Sequence, residues 1–460
     1  MTLSDYIDSI KSRRIGVIGA GVSNRPLIEE LLAGGCKVTV CDKAEAAALD
    51  GYDRKLTELG AALRLGAHYL DDLDFDLIFR TPGMHPFNPA LLRAKENGAE
   101  ITSEMELFFR LCPCRTIAIT GSDGKTTTST LIAEILRTEG YTVWLGGNIG
   151  KPLLTEIPNM SADDFAVLEL SSFQLHSMHC CPDVAVITNV SPNHLDVHPS
   201  YEDYIDAKKQ VFRGQNRDCL LVLNADNQIT ADMAAQAPGR VRLFSRRVHV
   251  PEGFFAENGT IYQAHSGEET AMVLTEEIRI PGVHNVENYM AAFCATADFV
   301  GRKAWRTVVK NFLGVEHRIE FVRELNGVRY YNDSIASSPT RTIAGLRSFD
   351  QKVILIAGGY DKHIPFDPLG AEAVKRVKAL FLCGATADKI RAAVEAAPEF
   401  DSASLPIFTL NDFTKTVYAA RDYAQPGDVV ILSPACAAFD QFKNFAVRGQ
   451  FFKKLVQEME

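Results

Sequence analysis

The chain has 460 residues and a formal net charge of −10, and 46% of its residues are hydrophobic. A chain of this length is expected to form about two to four domains. The acidic balance argues against nucleic acid as a partner, although a few local cations can still hold one phosphate chain. No apolar run reaches the roughly 18 residues of a membrane span, so membrane insertion is not expected.

Ten cysteines are scattered along the chain without a Cys-x-x-Cys pair, and the N-terminal segment lacks the apolar stretch of a signal peptide. The cysteine pattern argues against a zinc site and against a disulfide framework. We therefore expect a protein of the reducing cytoplasm, and we expect it to be a monomer.

A glycine-rich turn follows the first predicted strand, Arg14–Ile18, and the next predicted strand, Lys37–Cys41, ends at Asp42. This order resembles a dinucleotide fingerprint, but Asn24 stands where the third glycine would be, which argues against NAD. A nucleotide or nucleotide-sugar site is the favoured interpretation, and plain turn glycines are the alternative. Residues Thr81–Gly83 follow a later strand and are expected to close the same crevice.

The strongest single pattern is the loop Thr120–Thr127, which reads Thr-Gly-Ser-Asp-Gly-Lys-Thr-Thr between a predicted strand, Thr116–Thr120, and an amphipathic helix. Its glycines let backbone N–H groups face phosphate oxygens at the positive end of a helix dipole. Lys125 is expected to reach the β- and γ-phosphates, and the Thr126 hydroxyl to bind Mg²⁺. The loop is short, because Ile119 stands where the usual first glycine would be. A simple strand–helix turn is the alternative.

Three further side chains are expected behind this loop. Glu169 comes at the end of the predicted strand Phe165–Leu168. His194 follows the predicted strand Val184–Val190, and Lys208 lies on a predicted helix. A carboxylate at the carboxyl end of a strand beside a phosphate loop suits Mg²⁺. A lone histidine is more often structural, but the grouping of His194 with Glu169 and Lys208 favours a functional site. A lysine ammonium, however, has no lone pair with which to bind a metal.

Four apolar runs in the last third of the chain predict strands at Val328–Tyr331, Val353–Ala357, Leu380–Cys383 and Val429–Leu432. Strands that alternate with helical patterns predict an α/β protein with mainly parallel, doubly wound sheets. We expect a Rossmann-like domain over 1–111, a P-loop ATPase-like domain over 112–314 and a Rossmann-like domain over 315–460. The stretch 240–280 alternates polar and β-branched residues and predicts a small antiparallel insertion.

Two pairs of polar residues flank the second boundary: Asn285 with Asn288, and His317 with Arg318. Asparagine side chains can read an adenine edge, and an arginine can neutralise phosphate charge. A surface helix and a salt bridge explain the same residues equally well, so both interpretations stay open.

These motifs together resemble the Mur ligases, the cytoplasmic family that builds the peptidoglycan stem peptide, over essentially the whole chain. The resemblance implies ATP and two Mg²⁺ ions as cofactors, with Lys208 carbamylated so that it can bind metal. The implied catalytic residues are Lys125, His194, Lys208 and Arg318. The implied metal ligands are Thr126, Glu169, His194 and Lys208. The implied ATP-binding residues are Gly121, Ser122, Asp123, Gly124, Lys125, Thr126, Thr127, Asn285, Asn288, Arg318 and Asp333.

Three stretches look like the members of the family that add D-glutamate, namely Gly146–Gly150, Glu169–Leu175 and above all Ser433–Phe445. The similarity implies UDP-N-acetylmuramoyl-L-alanine, D-glutamate and ATP as substrates, with an amide formed through an acyl phosphate. The residues implied for the UDP-linked substrate are Val22, Ser23, Asp42, Thr81, Pro82, Gly83, Asn148 and Ser171. Those implied for D-glutamate are His317, Ser337, Lys362, Ala438 and Phe445.

Two positions depart from the pattern of the family. Some members have lysine where this chain has Ile335, and some have serine where it has Ala438. Both missing groups would help to hold the incoming amino acid, so the changes bear on the affinity for that substrate or on its choice.

Three other functions account for part of the sequence. A folylpolyglutamate synthase would share the phosphate loop but would have no use for the crevice at Gly19–Asp42. A dehydrogenase would use that crevice for NAD but leaves the phosphate loop and Lys208 unexplained. A non-catalytic nucleotide-binding regulator is compatible with Ile335 and Ala438, but the intact phosphate loop and predicted metal ligands argue against it.

Overall fold

The computed structural model describes residues 1–192 and 198–460. They form two compact units, one made of Met1–Val273 with Glu287–Val308 and the other of Leu274–Val286 with Val309–Glu460. Among the described residues, no helix combines the length and the apolar character needed to cross a membrane.

The N-terminal part of the first unit contains five strands: β1 (Arg14–Ile18), β2 (Lys37–Asp42), β3 (Ala62–Leu65), β4 (Leu77–Phe79) and β5 (Glu100–Thr102). Its helices are α1 (Leu3–Ile10), α2 (Arg25–Ala33), α3 (Tyr52–Glu58), α4 (Pro89–Glu96) and α5 (Glu104–Leu111). The strands form a parallel sheet in the order β3-β2-β1-β4-β5. Because β1 and β4 are parallel neighbours, the turns that follow them meet at one edge of the sheet.

The rest of the first unit is built on a second sheet. Its strands are β6 (Arg115–Thr120), β7 (Val143–Gly147), β8 (Phe165–Glu169), β9 (Val184–Ile187), β10 (Leu220–Asn224), β11 (Arg240–Ser245), β12 (Gly253–Glu257), β13 (Thr260–His265) and β14 (Glu268–Leu274). The helices of this region are α6 (Lys125–Glu139), α7 (Ser172–Leu175), α8 (Tyr201–Arg213) and α9 (Gln228–Asp232). Two more, α10 (His284–Thr296) and α11 (Arg302–Asn311), lie mostly in the first unit, and the second unit includes the first residues of α10 and the last residues of α11. The nine strands follow the order β14-β13-β12-β11-β10-β9-β6-β8-β7.

The prediction of a small antiparallel insertion over 240–280 is confirmed for the pair of β12 with β13 and wrong for the pair of β11 with β12. β11 and β12 continue the second sheet in parallel, and the direction reverses between β12 and β13. That reversal is a two-residue turn in which Asn258 and Gly259 have φ of 48° and 75°, the conformation that suits a tight hairpin. Alternation of polar and apolar residues indicates that one face of a strand is buried. It does not indicate whether the neighbouring strand runs parallel or antiparallel.

The second unit contains a six-stranded sheet. Its strands are β15 (Glu320–Leu325), β16 (Val328–Asn332), β17 (Val353–Ala357), β18 (Val377–Leu382), β19 (Ile407–Thr409) and β20 (Val429–Leu432). Its helices are α12 (Pro339–Leu346), α13 (Asp367–Arg376), α14 (Ala387–Glu395), α15 (Phe413–Tyr423) and α16 (Phe445–Glu458). The order is β15-β16-β20-β17-β18-β19, with parallel pairing everywhere except between β15 and β16.

The predicted α/β class with mainly parallel sheets is confirmed, and most strand bounds differ from the prediction by a residue or less. β9 is shorter than predicted and ends at Ile187. The two residues that follow it, Thr188 and Asn189, turn their side chains to the loop after β6, as described below. β18 begins at Val377, before the predicted start at Leu380, because Val377 still pairs with Val353 of β17.

Candidate active site

The turn after β6 has the backbone conformation that a phosphate loop requires. Gly121 and Gly124 have φ of 147° and 80°, in the left-handed region that favours glycine. A Cβ on Gly121 would lie 1.9 Å from the Thr188 hydroxyl, and one on Gly124 would lie 2.3 Å from the side-chain oxygen of Asn288. The loop leads directly into α6, so its N–H groups lie at the positive end of a 15-residue helix.

Side chains that follow β9 hold this loop in place. The Thr188 hydroxyl donates to the Asp123 carbonyl at 2.6 Å. The Asn189 side chain accepts from the Asp123 N–H at 3.0 Å and donates to the Asp123 carbonyl at 3.1 Å. The Ser122 hydroxyl donates to the Ser191 carbonyl at 3.0 Å. The loop is therefore preorganised, which lowers the cost of reorganising it when a phosphate binds.

Lys125, the first residue of α6, points back to the loop. Its Nζ donates to the carbonyl oxygens of Gly121 and Ser122, at 3.0 and 2.9 Å. Thr126 and Thr127 follow in the first turn of the helix and are half-buried. An anionic phosphate oxygen is a better acceptor for an ammonium than a carbonyl, so a bound phosphate chain can replace these contacts.

Glu169 is the last residue of β8 and is only 2% exposed. Its Oε1 accepts from the Asn148 side-chain amide at 3.0 Å, whereas its Oε2 is buried and has no hydrogen-bond partner among the described residues. Gly147 must be glycine here, because a Cβ would lie 2.2 Å from the Glu169 carbonyl oxygen. A buried carboxylate oxygen without a donor fits a ligand for a hard cation such as Mg²⁺.

Lys208 lies in α8 and is 1% exposed, which excludes the possibility of an ordinary surface lysine. Its Nζ donates to the Gly121 carbonyl at 2.7 Å and lies 4.5 Å from the centre of the Tyr204 ring. Burial, and then the positive charge of Lys125, lower the pKa of Lys208 well below its ordinary value. The environment thus favours the neutral amine.

Three other residues were predicted to bind ATP or metal, and the structure describes two of them. Asn288 lies in α10, where its Oδ1 accepts from the Thr128 hydroxyl of α6 at 3.3 Å. Asn285 belongs to the second unit and donates to the Pro281 carbonyl at 2.6 Å. His194 lies outside the described residues, and its role stays a prediction.

A cleft of about 330 Å³ lies within the first unit. Its walls include six of the eight residues predicted for the UDP-linked substrate: Val22, Ser23, Thr81, Pro82, Gly83 and Asn148. The other two do not line it. Asp42 accepts from the N–H groups of Ala20 and Ala44, at 2.6 and 2.8 Å, and so shapes the turn after β1. Ser171 caps α7 and accepts from the Gln174 N–H at 3.3 Å.

The sequence interpretation missed a carboxyl group in the same cleft. Glu104 lines the cleft at the start of α5 and is 6% exposed. Burial raises its pKa to about 7, and its Oε1 has no partner among the described residues. Ser103 caps this helix by accepting from the Glu106 N–H at 3.2 Å. That Ser-x-x-Glu spacing is the pattern that could have located the helix start.

In the second unit, His317 and Arg318 precede β15. Burial lowers the pKa of His317, whose Nδ1 lies 2.9 Å from the side-chain nitrogen of Asn332. Asp333 follows β16 and is 3% exposed. It accepts from the Ser433 hydroxyl at 2.7 Å, yet burial still raises its pKa to about 7. The charge of Arg318 acts in the opposite direction and favours the carboxylate.

The remaining residues predicted for D-glutamate follow the carboxyl ends of three neighbouring parallel strands. Ser337 comes after β16 and is half-buried, and Lys362 comes after β17 and is exposed. Ala438 comes after β20 and is 2% exposed. Phe445 begins α16, and its carbonyl accepts from the Ser334 hydroxyl at 2.8 Å. Ligands of α/β sheets bind at this edge.

Arg448 of α16 supports this edge and was not identified from the sequence. It is 2% exposed and donates to the Ser334 hydroxyl and to the carbonyls of Ser334, Cys436 and Ala437, at 2.9 to 3.2 Å. It thereby holds the loop that carries Ala438. A single arginine within an apolar helical stretch is only a weak sequence indication that its side chain is buried and holds a loop through hydrogen bonds.

Comparison with known proteins identifies the family. Residues 119–296 match the Mur ligase middle domain, and residues 317–436 match the Mur ligase, glutamate ligase domain. The chain is 50% identical over 456 residues to a UDP-N-acetylmuramoylalanine–D-glutamate ligase of Clostridium kluyveri, with 99% of each chain covered. It is 50% identical over 461 residues to the protein of that name from Acetivibrio thermocellus, with 100% of this chain and 99% of the other covered.

The chain belongs to the Mur ligase family. The resemblance inferred from its motifs is thus confirmed. Mur ligases use ATP and Mg²⁺, which agrees with the phosphate loop and with Glu169 Oε2, for which the described residues supply no donor.

Solved structures of Mur ligases share the fold. A UDP-N-acetylmuramate-alanine ligase from Thermotoga maritima matches with a TM-score of 0.57 at 16% identity, covering 97% of this chain and 100% of that one. A UDP-N-acetylmuramoyl-L-alanyl-D-glutamate–2,6-diaminopimelate ligase matches with a TM-score of 0.56 at 18% identity, covering 97% and 93%. At these identities the likeness concerns the fold alone.

Proposed function

We propose that this Mur ligase joins D-glutamate to UDP-N-acetylmuramoyl-L-alanine and converts ATP to ADP and phosphate in the same reaction. The observation that carries the proposal is the full-length identity of 50% with D-glutamate ligases. The site chemistry supports it, because a preorganised phosphate loop and a buried lysine lie at one edge of the second sheet. At the same edge lies a buried carboxylate oxygen of Glu169 that has no donor in the part of the chain that the structure describes. The proposed setting is the cytoplasm, with the enzyme acting as a monomer.

We assign one substrate to the domain built on each of the three sheets. A domain over 1–111 would bind the uridine end of the substrate in the cleft, a domain over 112–314 would bind ATP, and a domain over 315–460 would bind the amino acid. The cleft supports the first assignment, since it combines a wall of backbone turns with the N-terminus of α5. Helix N-termini favour anionic groups such as a pyrophosphate.

The reaction would proceed in two steps. A carboxylate oxygen of the UDP-linked substrate attacks the γ-phosphorus of ATP, and ADP leaves, so that an acyl phosphate forms. The D-glutamate amine then attacks the acyl carbon, loses a proton and expels phosphate, so that the amide forms. Lys125 and Arg318 would stabilise charge on the phosphoryl group as it moves, and this electrostatic positioning is the main catalytic contribution in such transfers. Water must be excluded, because an acyl phosphate hydrolyses readily.

The proposed Mg²⁺ ligands are Thr126, Glu169, His194 and carbamylated Lys208. When bound, two Mg²⁺ ions would neutralise charge on the phosphates. The neutral Lys208 amine would attack CO₂, and loss of one proton would leave a carbamate whose oxygens suit Mg²⁺. The lowered pKa and full burial of Lys208 support this step, because only the neutral amine reacts.

The amino-acid pocket would use groups at the edge of the third sheet. With Ile335 in place of a cation, Lys362 is the proposed partner of the D-glutamate side-chain carboxylate. Backbone N–H groups near Ala438 and Phe445, with the Ser337 hydroxyl, would hold the α-carboxylate. Backbone donors need no serine side chain, so the alanine at 438 is compatible with D-glutamate.

One assay separates this function from its rivals. Phosphate release from ATP is measured with UDP-N-acetylmuramoyl-L-alanine and with each amino acid in turn. We expect release with D-glutamate and formation of the matching amide. Release that requires a folate, oxidation of a substrate with NAD, or nucleotide binding without turnover would replace the proposal with the corresponding alternative.

A further inference from the structure

Three histidines and an aspartate form a cluster that the proposed ligase reaction does not use. His85 follows β4, and His176 directly follows α7. His198 precedes α8, and Asp203 lies in the first turn of α8. One ligand atom from each side chain can be chosen so that all four lie within 4.8 Å of one another. The cluster thus joins a loop of the first sheet to two helices of the second.

Two of the imidazoles converge on one carboxylate. His198 Nδ1 lies 2.7 Å from Asp203 Oδ2, and His176 Nε2 lies 2.9 Å from Asp203 Oδ1. The side chains of His198 and His176 are 0% and 7% exposed. Ser172 Oγ lies 3.0 Å from His198 Nε2 and can accept the ring proton there, which leaves the Nδ1 lone pair free for a cation.

Of the remaining ring nitrogens, His85 Nδ1 accepts from the Phe87 N–H at 3.2 Å. His85 Nε2 and His176 Nδ1 are buried and have no hydrogen-bond partner among the residues that the structure describes. The His85 ring centre lies 5.0 Å from that of His176. A buried nitrogen without a partner costs free energy unless something binds it.

We propose that His85, His176, His198 and Asp203 form a binding site for a transition-metal ion of the Zn²⁺ type. Three imidazole nitrogens and one carboxylate oxygen are a ligand set that Zn²⁺ accepts in four-coordinate sites. Nitrogen ligands disfavour Mg²⁺, which separates this site from the oxygen ligands proposed beside the phosphate loop. The absence of Cys-x-x-Cys pairs argued against zinc from the sequence, but these ligands come from segments far apart in the chain.

The ion would fix one wall of the substrate cleft. Thr81–Gly83 line that cleft, and His85 follows them in the same loop. Arg80 already ties the start of this loop to α7, because its guanidinium donates to the Phe173 carbonyl and the Ser177 hydroxyl, at 3.1 and 2.8 Å. A metal on His85 and His176 would tie the loop at a second point.

The test measures metal retention rather than activity. The full chain is stripped with a chelator, mixed with Zn²⁺ or Co²⁺ in excess Mg²⁺, and passed through a desalting column. We expect wild type to retain about one equivalent of Zn²⁺ per chain and to show the visible absorption of four-coordinate Co²⁺. His85→Gln and His176→Gln should each bind at least about tenfold more weakly, whereas His68→Gln, an exposed histidine beside Asp71, should bind as wild type does.

A second variant locates the ion. Glu169→Gln should retain Zn²⁺, since Glu169 belongs to the proposed Mg²⁺ site. Negligible retention by wild type, equal retention by His85→Gln, or loss of Zn²⁺ in Glu169→Gln but not in His85→Gln would each overturn the proposal. Circular dichroism of the stripped proteins checks the fold, and His85→Gln, in a surface loop, decides the matter if His176→Gln does not fold.

Discussion

Lys208 Nζ lies 2.7 Å from the carbonyl oxygen of Gly121, the first glycine of the phosphate loop. A helix lysine is thus buried directly behind the loop that is expected to bind ATP. The contact links two parts of the site that lie far apart in the sequence, and it places an amine of lowered pKa beside the phosphate loop.

Removal of the Lys208 amine should abolish ligation while the fold persists. We expect Lys208→Ala to lose activity by about 10³ or more, because a proposed metal ligand disappears from a charged transition state. Small carboxylates such as acetate should restore part of it by occupying the place of the carbamate. Lys209→Ala, at the next and half-buried lysine, is the matched control and should stay active. An unmodified Lys208 in a crystal structure with Mg²⁺ and nucleotide would exclude the carbamate.

Lys125 should be equally indispensable. Lys125→Ala removes the side-chain cation of the loop Gly121–Thr127, and we expect a loss of about 10³ or more in the rate of phosphate release. Lys303→Ala, on the exposed face of α11, should have no effect. Activity of Lys125→Ala within about tenfold of wild type would show that the loop does not act on the phosphoryl group.

Lys362 should determine the affinity for the amino acid rather than for ATP. Loss of a charge-assisted contact should cost about 1.5–3 kcal/mol, so Lys362→Ala should raise the KM for D-glutamate well above any change in the KM for ATP. Steady-state kinetics with each substrate varied measures both. Lys389→Ala, at a nearby lysine paired with Asp361, is the control. An effect on ATP alone, or equal use of L-glutamate, would show that the pocket is assigned incorrectly.

Asp333 should make the stability depend on pH. Folding raises its pKa from 3.8 to about 7, so its contribution to stability is full below pH 3.8 and is lost as the pH rises through about 7. Asp333→Asn removes this titration. Between about pH 4 and 8, the free energy of unfolding of wild type should therefore fall relative to that of the variant. Urea unfolding at several pH values measures the difference, and a difference that stays constant with pH would contradict the buried carboxyl.

Arg448 should be required for the stability of the third sheet's binding edge. Arg448→Ala leaves three carbonyls and one hydroxyl without their donor in a buried place, so the free energy of unfolding should fall by about 3 kcal/mol or more. Denaturant unfolding measures the loss. Lys454→Ala, an exposed residue of the same helix, should change it little. A variant as stable as wild type would mean that water replaces the guanidinium.

Local patterns predicted much of this structure. The phosphate loop Gly121–Gly124 could be predicted because its glycines, the lysine and the flanking strand and helix are neighbours in the chain. Glu169 and Lys208 could be predicted as candidate site residues. The burial and the hydrogen-bond partners of their side chains could not. The pairing of Asn148 with Glu169 depends on the order of strands in the sheet, and hydrophobic periodicity does not encode that order.

Features that depend on contacts between distant segments could not be predicted from the sequence. The cleft wall at Glu104, the hydrogen bonds of Arg448 and the cluster around Asp203 each join segments many residues apart. The direction of β11 and β12 was missed for the same reason, since a strand's own pattern reports which of its faces is buried and not which strand lies beside it.

The cleft of about 330 Å³ has a consequence for inhibition of the enzyme. Its volume is in the range of pockets that hold drug-sized molecules. As the structure describes it, the cleft is lined by no residue of the phosphate loop Gly121–Thr127. If the cleft holds the UDP-linked substrate as proposed, a compound that fills it would compete with that substrate and not with ATP. Its potency would then not depend on the ATP concentration of the cell.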